Sequence, residues 1–368
     1  MILHPKDKIT PTQAALSVAS TLIASGILTL PHASAKAVGA PDAWISVAIG
    51  GILALIAGFM VARVSQLFPQ QSMFIYCPVI FGKWIGNFLA LLFILYCILI
   101  DGYEVRVLGE VVREYVLDKT PIEVTIILFM CAASYLTVGG INPIVRVCEL
   151  YFMPTIIVAF FLLLISTRNF EINNVLPIFG EGILPTLKGV KSTILAYIGF
   201  ENMLIWISFM DEPRKAVKST LLGIGIAAVL YVLIVFTVIG NLSFEEVTTL
   251  TWPTMSLAKA IEFPGSIFER LDSLFVIIWV IAIYTTFVPF YYSACLGLGQ
   301  LFRRDHSYFV YAVLPFIYIA AMYLPDLNHV FKFGDFVSYL GLFFGTLFPI
   351  VLWIVFKMRK KKLRDSLL

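Results

Sequence analysis

The chain has 368 residues, of which 60% are hydrophobic and only 13% charged, with a mean hydropathy of +0.93. Soluble domains keep roughly a quarter of their residues charged, so this composition excludes a water-solvated globule and names lipid as the solvent. The formal net charge of +3 is too small for a nucleic-acid-binding surface, and the expected partner is a bilayer with no nucleic acid.

In chain order, the polar opening MILHPKDKIT has no apolar core followed by a small-residue cleavage site, so the first helix is expected to be retained. Apolar runs then predict spans over residues 10–36, 42–67, 83–116, 121–138 and 143–167. A loop containing NNVLPIFGEG follows, and further spans are predicted over 187–211, 217–240, 268–302, 308–324 and 334–357. The third run is longer than a bilayer requires and is expected to tilt or protrude. Ten spans put both termini on one side. The majority of the 26 Lys and Arg residues then share that side, among them Lys6, Lys8, Lys83, Arg214, Lys215, Lys218, Arg303 and Arg304. The positive-inside rule makes it cytoplasmic. The KMRKKKLR tail reads as a stop-transfer signal or as a patch for a partner or anionic lipid. Glu245, Glu246, Glu262 and Glu269 fall outside.

The five cysteines, Cys77, Cys97, Cys131, Cys148 and Cys295, are scattered without CxxC or CxxH spacing and are expected to act as small apolar residues. No metal, cofactor or catalytic residue is expected. No HExxH, paired intramembrane GxGD-like carboxylates or nucleotide loop occurs, which argues against an enzyme.

Two spans interrupt themselves. Ser25-Gly26 breaks the first, with Pro31 just beyond, and Gly199-Phe200-Glu201-Asn202 breaks the sixth. These are the leading helices of two five-helix halves, 10–167 and 187–357, within one transmembrane domain (1–368). Because five is odd, the second half enters the membrane inverted. Broken helices at matching places in inverted halves point to a ligand site at the midplane. The restart after Ser25 is expected to offer the N–H groups of Gly26, Ile27 and Leu28 to a carboxylate. Carbonyls near Tyr197, Ile198 and Gly199 are expected to suit an ammonium group. Together they fit a small zwitterion such as an amino acid. Packing by small residues is the competing reading of each glycine.

SGILTLPHASAKAVG resembles the first-helix signature of the amino acid–polyamine–organocation transporters. LGEVV at 108–112, GFEN at 199–202, TWPTMSLAKAIEFPGSIFERLDSLF at 251–275 and LPDLNHVF at 324–331 resemble, more narrowly, the B subunit of spore germinant receptors, the endospore germination permeases. The resemblance covers essentially the whole chain. It implies an all-α, LeuT-like fold with discontinuous helices 1 and 6, in the spore inner membrane. It also implies a nutrient germinant, expected to be an amino acid, as ligand, and separately encoded A and C subunits as partners. A proton- or sodium-coupled amino acid transporter is the alternative. The TWPT block is then either a partner interface or a loop that caps the pocket.

Polar residues at membrane depth complete the candidates. In the third span Asp101, Glu104 and Arg106 would be costly facing lipid, by about 2.5–3.5 kcal/mol for a central Asp or Arg. Arg106 is expected to pair with Glu104 or Glu110. These charges have either structural or coupling roles, and Ile100 and Tyr103 are candidates for the pocket wall by analogy with the third helix of the transporters. Phe200 and Glu201 flank the second break, where Glu201 would hold an amine, couple a proton or pair with a base. Thr285 and Thr286, just before Pro289, would line a ligand or sodium site, or bond back to their own helix.

Overall fold

A computed structural model describes residues 7–260 and 271–364. The architecture is all-helical. The first span begins at a capping box, in which Thr10 and Gln13 exchange side-chain-to-backbone bonds and Pro11 occupies the first turn. Helix α1 (Pro11–Leu22) is followed, after three residues, by α2 (Gly26–Val38), the pair bending by 53°. Gly39, at φ +71°, closes α2 in the left-handed conformation. Next come α3 (Ala43–Ser65), a short α4 (Met73–Phe81), α5 (Lys83–Tyr115), α6 (Ile122–Val138) and α7 (Ile141–Ser166).

The second half repeats the plan. Its leading span runs through α8 (Ile183–Gly189) and α9 (Ile194–Tyr197), breaks, and resumes through α10 (Met203–Trp206), with a 50° bend between its parts. Then follow α11 (Ala216–Leu242), two short helices, α12 (Phe244–Thr249) and α13 (Pro253–Ala260), and the long α14 (Leu271–Phe302). The chain closes with α15 (Ser307–Met322), α16 (Leu327–Leu342), a π-helical turn over Phe343–Leu347 and α17 (Phe348–Arg364).

Six helices pass a length-and-hydropathy test alone, the two bent pairs pass as units, and two apolar helices, Ile122–Val138 and Ser307–Met322, are shorter. All ten expected spans are therefore present as helices. At 33 residues α5 is about 50 Å long, well beyond the roughly 30 Å hydrocarbon core. Some boundaries moved. The last span starts at Leu327 rather than near residue 334, and the sixth at Ile183 rather than 187. Helices α4, α12 and α13 were not expected, because each is shorter than the apolar window that reveals a span. Lys6, Glu262 and Glu269, used in the charge argument, lie outside the described residues, as does part of the TWPT block.

The outer surface is apolar: Ile52, Ile56, Phe88, Leu128, Ile157 and Phe316 are all exposed, a surface that only lipid accommodates. The interior is built around small residues. A Cβ on Gly86 would lie 2.3 Å from the Pro78 backbone, so α4 rests directly on α5. Helix α11 packs on both α1 and α3. A Cβ at Gly223 would meet the Ala15 carbonyl at 2.6 Å, whereas one at Gly225 meets nothing within 4 Å.

That contrast gives a test. Gly→Ala in a helix ordinarily gains about 0.5–1 kcal/mol, but overpacking costs about 1–3 kcal/mol. Gly223→Ala is expected to lower the unfolding midpoint of the detergent-solubilised chain, and Gly225→Ala to leave it equal or raise it. Equal shifts in the two variants would contradict the α1–α11 packing.

Candidate functional site

The first break is held by carbonyl caps. Ile23 leaves helical geometry at φ −81°, ψ 79°. The carbonyls freed around it are taken by side chains from three other helices. Thr286 on α14 donates to the Ser20 and Thr21 carbonyls at 3.1 and 3.0 Å, and Trp279 Nε1 on the same helix to Ala24 at 3.2 Å. The Tyr231 hydroxyl on α11 donates to Leu22, and Thr254 Oγ1 on α13 to Ile27 at 2.7 Å. Thr285, by contrast, bonds back to Ala282 in its own helix.

The amides differ from expectation. The N–H of Ile27 reaches the Ala24 carbonyl at 3.2 Å and that of Leu28 reaches Ser25 at 3.0 Å, so α2 restarts in a tight turn that consumes donors assigned to a ligand. Gly26 serves close packing here: a Cβ would lie 2.4 Å from the Tyr231 hydroxyl oxygen and 3.0 Å from the Ala196 Cβ. Ser25 Oγ donates to Glu104 Oε1 at 2.7 Å.

The second break requires its glycine. Ile198 is extended and Gly199 has φ +129°, a conformation that side chains resist. Glu201 caps this break itself: one carboxylate oxygen accepts the Gly199 N–H at 2.8 Å, the other the Tyr96 hydroxyl at 2.5 Å. The Gly199 carbonyl accepts the Asn202 amide at 3.2 Å, and Ser293 Oγ donates to Asn202 Oδ1 at 2.8 Å. The two breaks touch, since a Cβ on Gly199 would sit 3.0 Å from Thr21 Cγ2.

Helix α5 supplies buried acids beside them. Arg106 pairs with Glu110 at 2.8 Å, one of its two expected partners, and Arg113 engages the same carboxylate. Asp101 is fully buried with neither oxygen hydrogen-bonded among the described residues; Glu104 Oε2 and the Tyr103 hydroxyl are likewise unpartnered. A buried carboxyl without donors is costly, so this part of the core has the most to gain from a polar or cationic guest.

Two cavities adjoin the breaks. A vestibule of about 670 Å³ runs along the second half of α2 and is floored by Tyr103, with Thr29, Leu195 and Ala196 on its walls. Its lining carries both signs, Lys36 and Lys332 together with Asp326 and Asp335, beside the imidazoles of His32 and His329. Asp326, at the rim, accepts from His329 Nδ1 at 2.9 Å, which holds its carboxyl below the ordinary range. An apolar crevice of about 270 Å³ lies between α3, residues 190–200 and the π-helical turn, lined by Tyr197, Phe200, Ala54 and Gly345.

Among the residues singled out from sequence, Tyr103 lines the vestibule, and Tyr197 and Phe200 the crevice. Ser25, Gly26, Ile27, Leu28, Ile100, Glu201, Thr285 and Thr286 are buried and line neither cavity, and Gly199 lies against Thr21. Tyr231, Trp279, Thr254 and Tyr96 were missed. For the Tyr and Trp residues the only signal is chemical: a buried Tyr or Trp usually takes a hydrogen-bond partner. The described start of the TWPT block reaches the vestibule: Thr251 lines it, Thr254 holds α2, and Trp252 donates to Glu114 at 3.0 Å.

The two threonines provide a controlled comparison. Thr286→Val keeps the shape but strips two carbonyls of a donor from another helix, at a cost of about 1 kcal/mol. A lowered unfolding midpoint is expected for Thr286→Val and an unchanged one for Thr285→Val. The reverse order would remove Thr286 from the break.

Comparison with known proteins identifies the family and the fold. The family described as "Spore germination protein" matches residues 8–330. The chain is 38% identical over 360 residues to spore germination protein YndE of Bacillus subtilis (strain 168), covering 98% of this chain and 99% of the relative. It is 31% identical over 356 residues to spore germination protein A2 of the same organism, covering 96% and 97%. Among solved structures, MhsT in complex with L-phenylalanine superposes with a TM-score of 0.67 at 12% identity, covering 95% of this chain and 98% of that one. The fold is thus the five-plus-five inverted repeat with discontinuous helices 1 and 6. The protein is a multi-pass membrane protein, and it belongs to the spore germination protein family.

Proposed function

We propose that this chain is the germinant-sensing subunit of a spore germination receptor, acting in the inner spore membrane beside A and C subunits. Near-full-length identity of 38% to a spore germination protein carries the germination role. The ligand is a small nutrient, and an amino acid fits best. The vestibule lining offers both Lys36 and Lys332 and the carboxylates Asp326 and Asp335, a mixed set that suits a zwitterion. The floor at Tyr103 lies next to Glu104, the residue bonded to Ser25, so occupancy is felt directly at the first break.

Sensing requires different affinity for two conformations. The movable contact is the close approach of Tyr231 and Ala196 to Gly26, which a ligand entering from the vestibule would loosen or tighten. Both termini are assigned to the cytoplasm, because Arg63, Arg214, Lys215, Lys218, Arg303, Arg304 and Lys357 stand at the ends of spans on one side.

The test uses spores whose own copy of the gene carries the substitution. Tyr103→Phe changes no volume and removes one hydroxyl, and it is expected to raise the half-maximal germinant concentration about tenfold. Gly199→Leu, which cannot hold φ +129°, is expected to abolish the response. Unchanged sensitivity in Tyr103→Phe spores, with protein levels verified, would remove the vestibule from recognition. Concentrative amino acid uptake by the chain alone in proteoliposomes would replace the sensor with a carrier.

A further inference from the structure

A second cavity system lies away from the breaks, on the lipid-facing side between α7 and α11. Its polar part, about 590 Å³, is bounded by Arg63, Gln66, Arg214 and Lys218. Its apolar part, about 530 Å³, is bounded by Ile156, Phe160 and Leu163 of α7 and by Gly225, Val229 and Leu233 of α11. Leu221 and Leu222 line both, so the two parts adjoin along α11.

Its construction is specific. On α11, Lys218, Leu222, Gly225 and Val229 follow the three- and four-residue spacing of a single helix face. On α7, Ile156, Phe160 and Leu163 do the same. Gly225 is the dent in the floor, since a Cβ there meets nothing within 4 Å. At the polar end the Gln66 amide donates to the carbonyls of Pro213 and Arg214 at 3.1 and 2.8 Å. This ties the start of α11 to the end of α3 and holds Arg214 near Arg63. The neighbouring acid, Glu212, is engaged by Lys215 at 2.8 Å. Among the described residues no carboxylate lies within ion-pair distance of Arg63, Arg214 or Lys218.

Three cations at the head of an apolar groove complement a molecule with a negative head and a long hydrocarbon tail. We propose that this groove binds one anionic phospholipid, its phosphate held by Arg63, Arg214 and Lys218 and one acyl chain laid over Gly225. A hydrophobic partner helix would fill the apolar part but leave the three positive charges unanswered. A zwitterionic lipid answers them only in part, because its own ammonium opposes them.

The test is native mass spectrometry of the full chain, purified in detergent with equal amounts of phosphatidylglycerol and phosphatidylcholine. Preferential retention of phosphatidylglycerol by about tenfold is expected. The preference should vanish in the triple variant Arg63→Gln, Arg214→Gln, Lys218→Gln. It should also fall in Gly225→Phe, which fills the groove and leaves every cation in place. Equal retention of the two lipids, retention of neither, or full preference in Gly225→Phe would each overturn the proposal. Displacement of the bound lipid by millimolar inorganic phosphate would likewise overturn it, by reducing the site to a simple anion pocket.

Discussion

Lipid cannot hydrogen-bond a peptide group, and this chain interrupts two of its spans at depth. Every group freed there must find a partner within the protein. At the first break the partners come from afar, since Thr286, Trp279, Tyr231 and Thr254 reach in from α14, α11 and α13. At the second the partner is local, with Glu201 closing the break it helps create. The first break is thereby coupled to three other helices, and any movement of α2 must disturb them. The second is closed locally by Glu201 and tied to α5 through Tyr96 and to α14 through the Asn202–Ser293 bond.

This asymmetry bears on sensing. A ligand that alters the seat of α2 changes the hydrogen-bond partners of α11, α13 and α14 at once. The TWPT block, through Thr254 on the Ile27 carbonyl and Trp252 on Glu114, links that change to the loops over the vestibule.

The sequence revealed the ten helices because each is an apolar run, two of them short of a full span, and it revealed the two breaks because Gly26 and Gly199 stand beside polar residues. It did not reveal that two of the three amides named at the first break have partners within the chain. Counting free amides from a helix start presumes that the chain stops cleanly, yet Ile27 and Leu28 turn back onto Ala24 and Ser25. The capping side chains are distant in sequence, so no local pattern identifies Tyr231 or Trp279 as their partners. The same holds for Gly26, whose neighbour Tyr231 is apparent only once α11 is packed. Short helices such as α4 escape because nine residues carry no span-length signal.

Hydrogen exchange on the full chain in lipid nanodiscs tests most directly whether the breaks are internally satisfied. Slow exchange is expected across residues 20–30 and 196–206, comparable to mid-helix segments. Thr286→Val is expected to accelerate exchange in the first segment and leave the second unchanged. Rapid exchange at both breaks in the unaltered protein would contradict the description of helices stitched together by side chains.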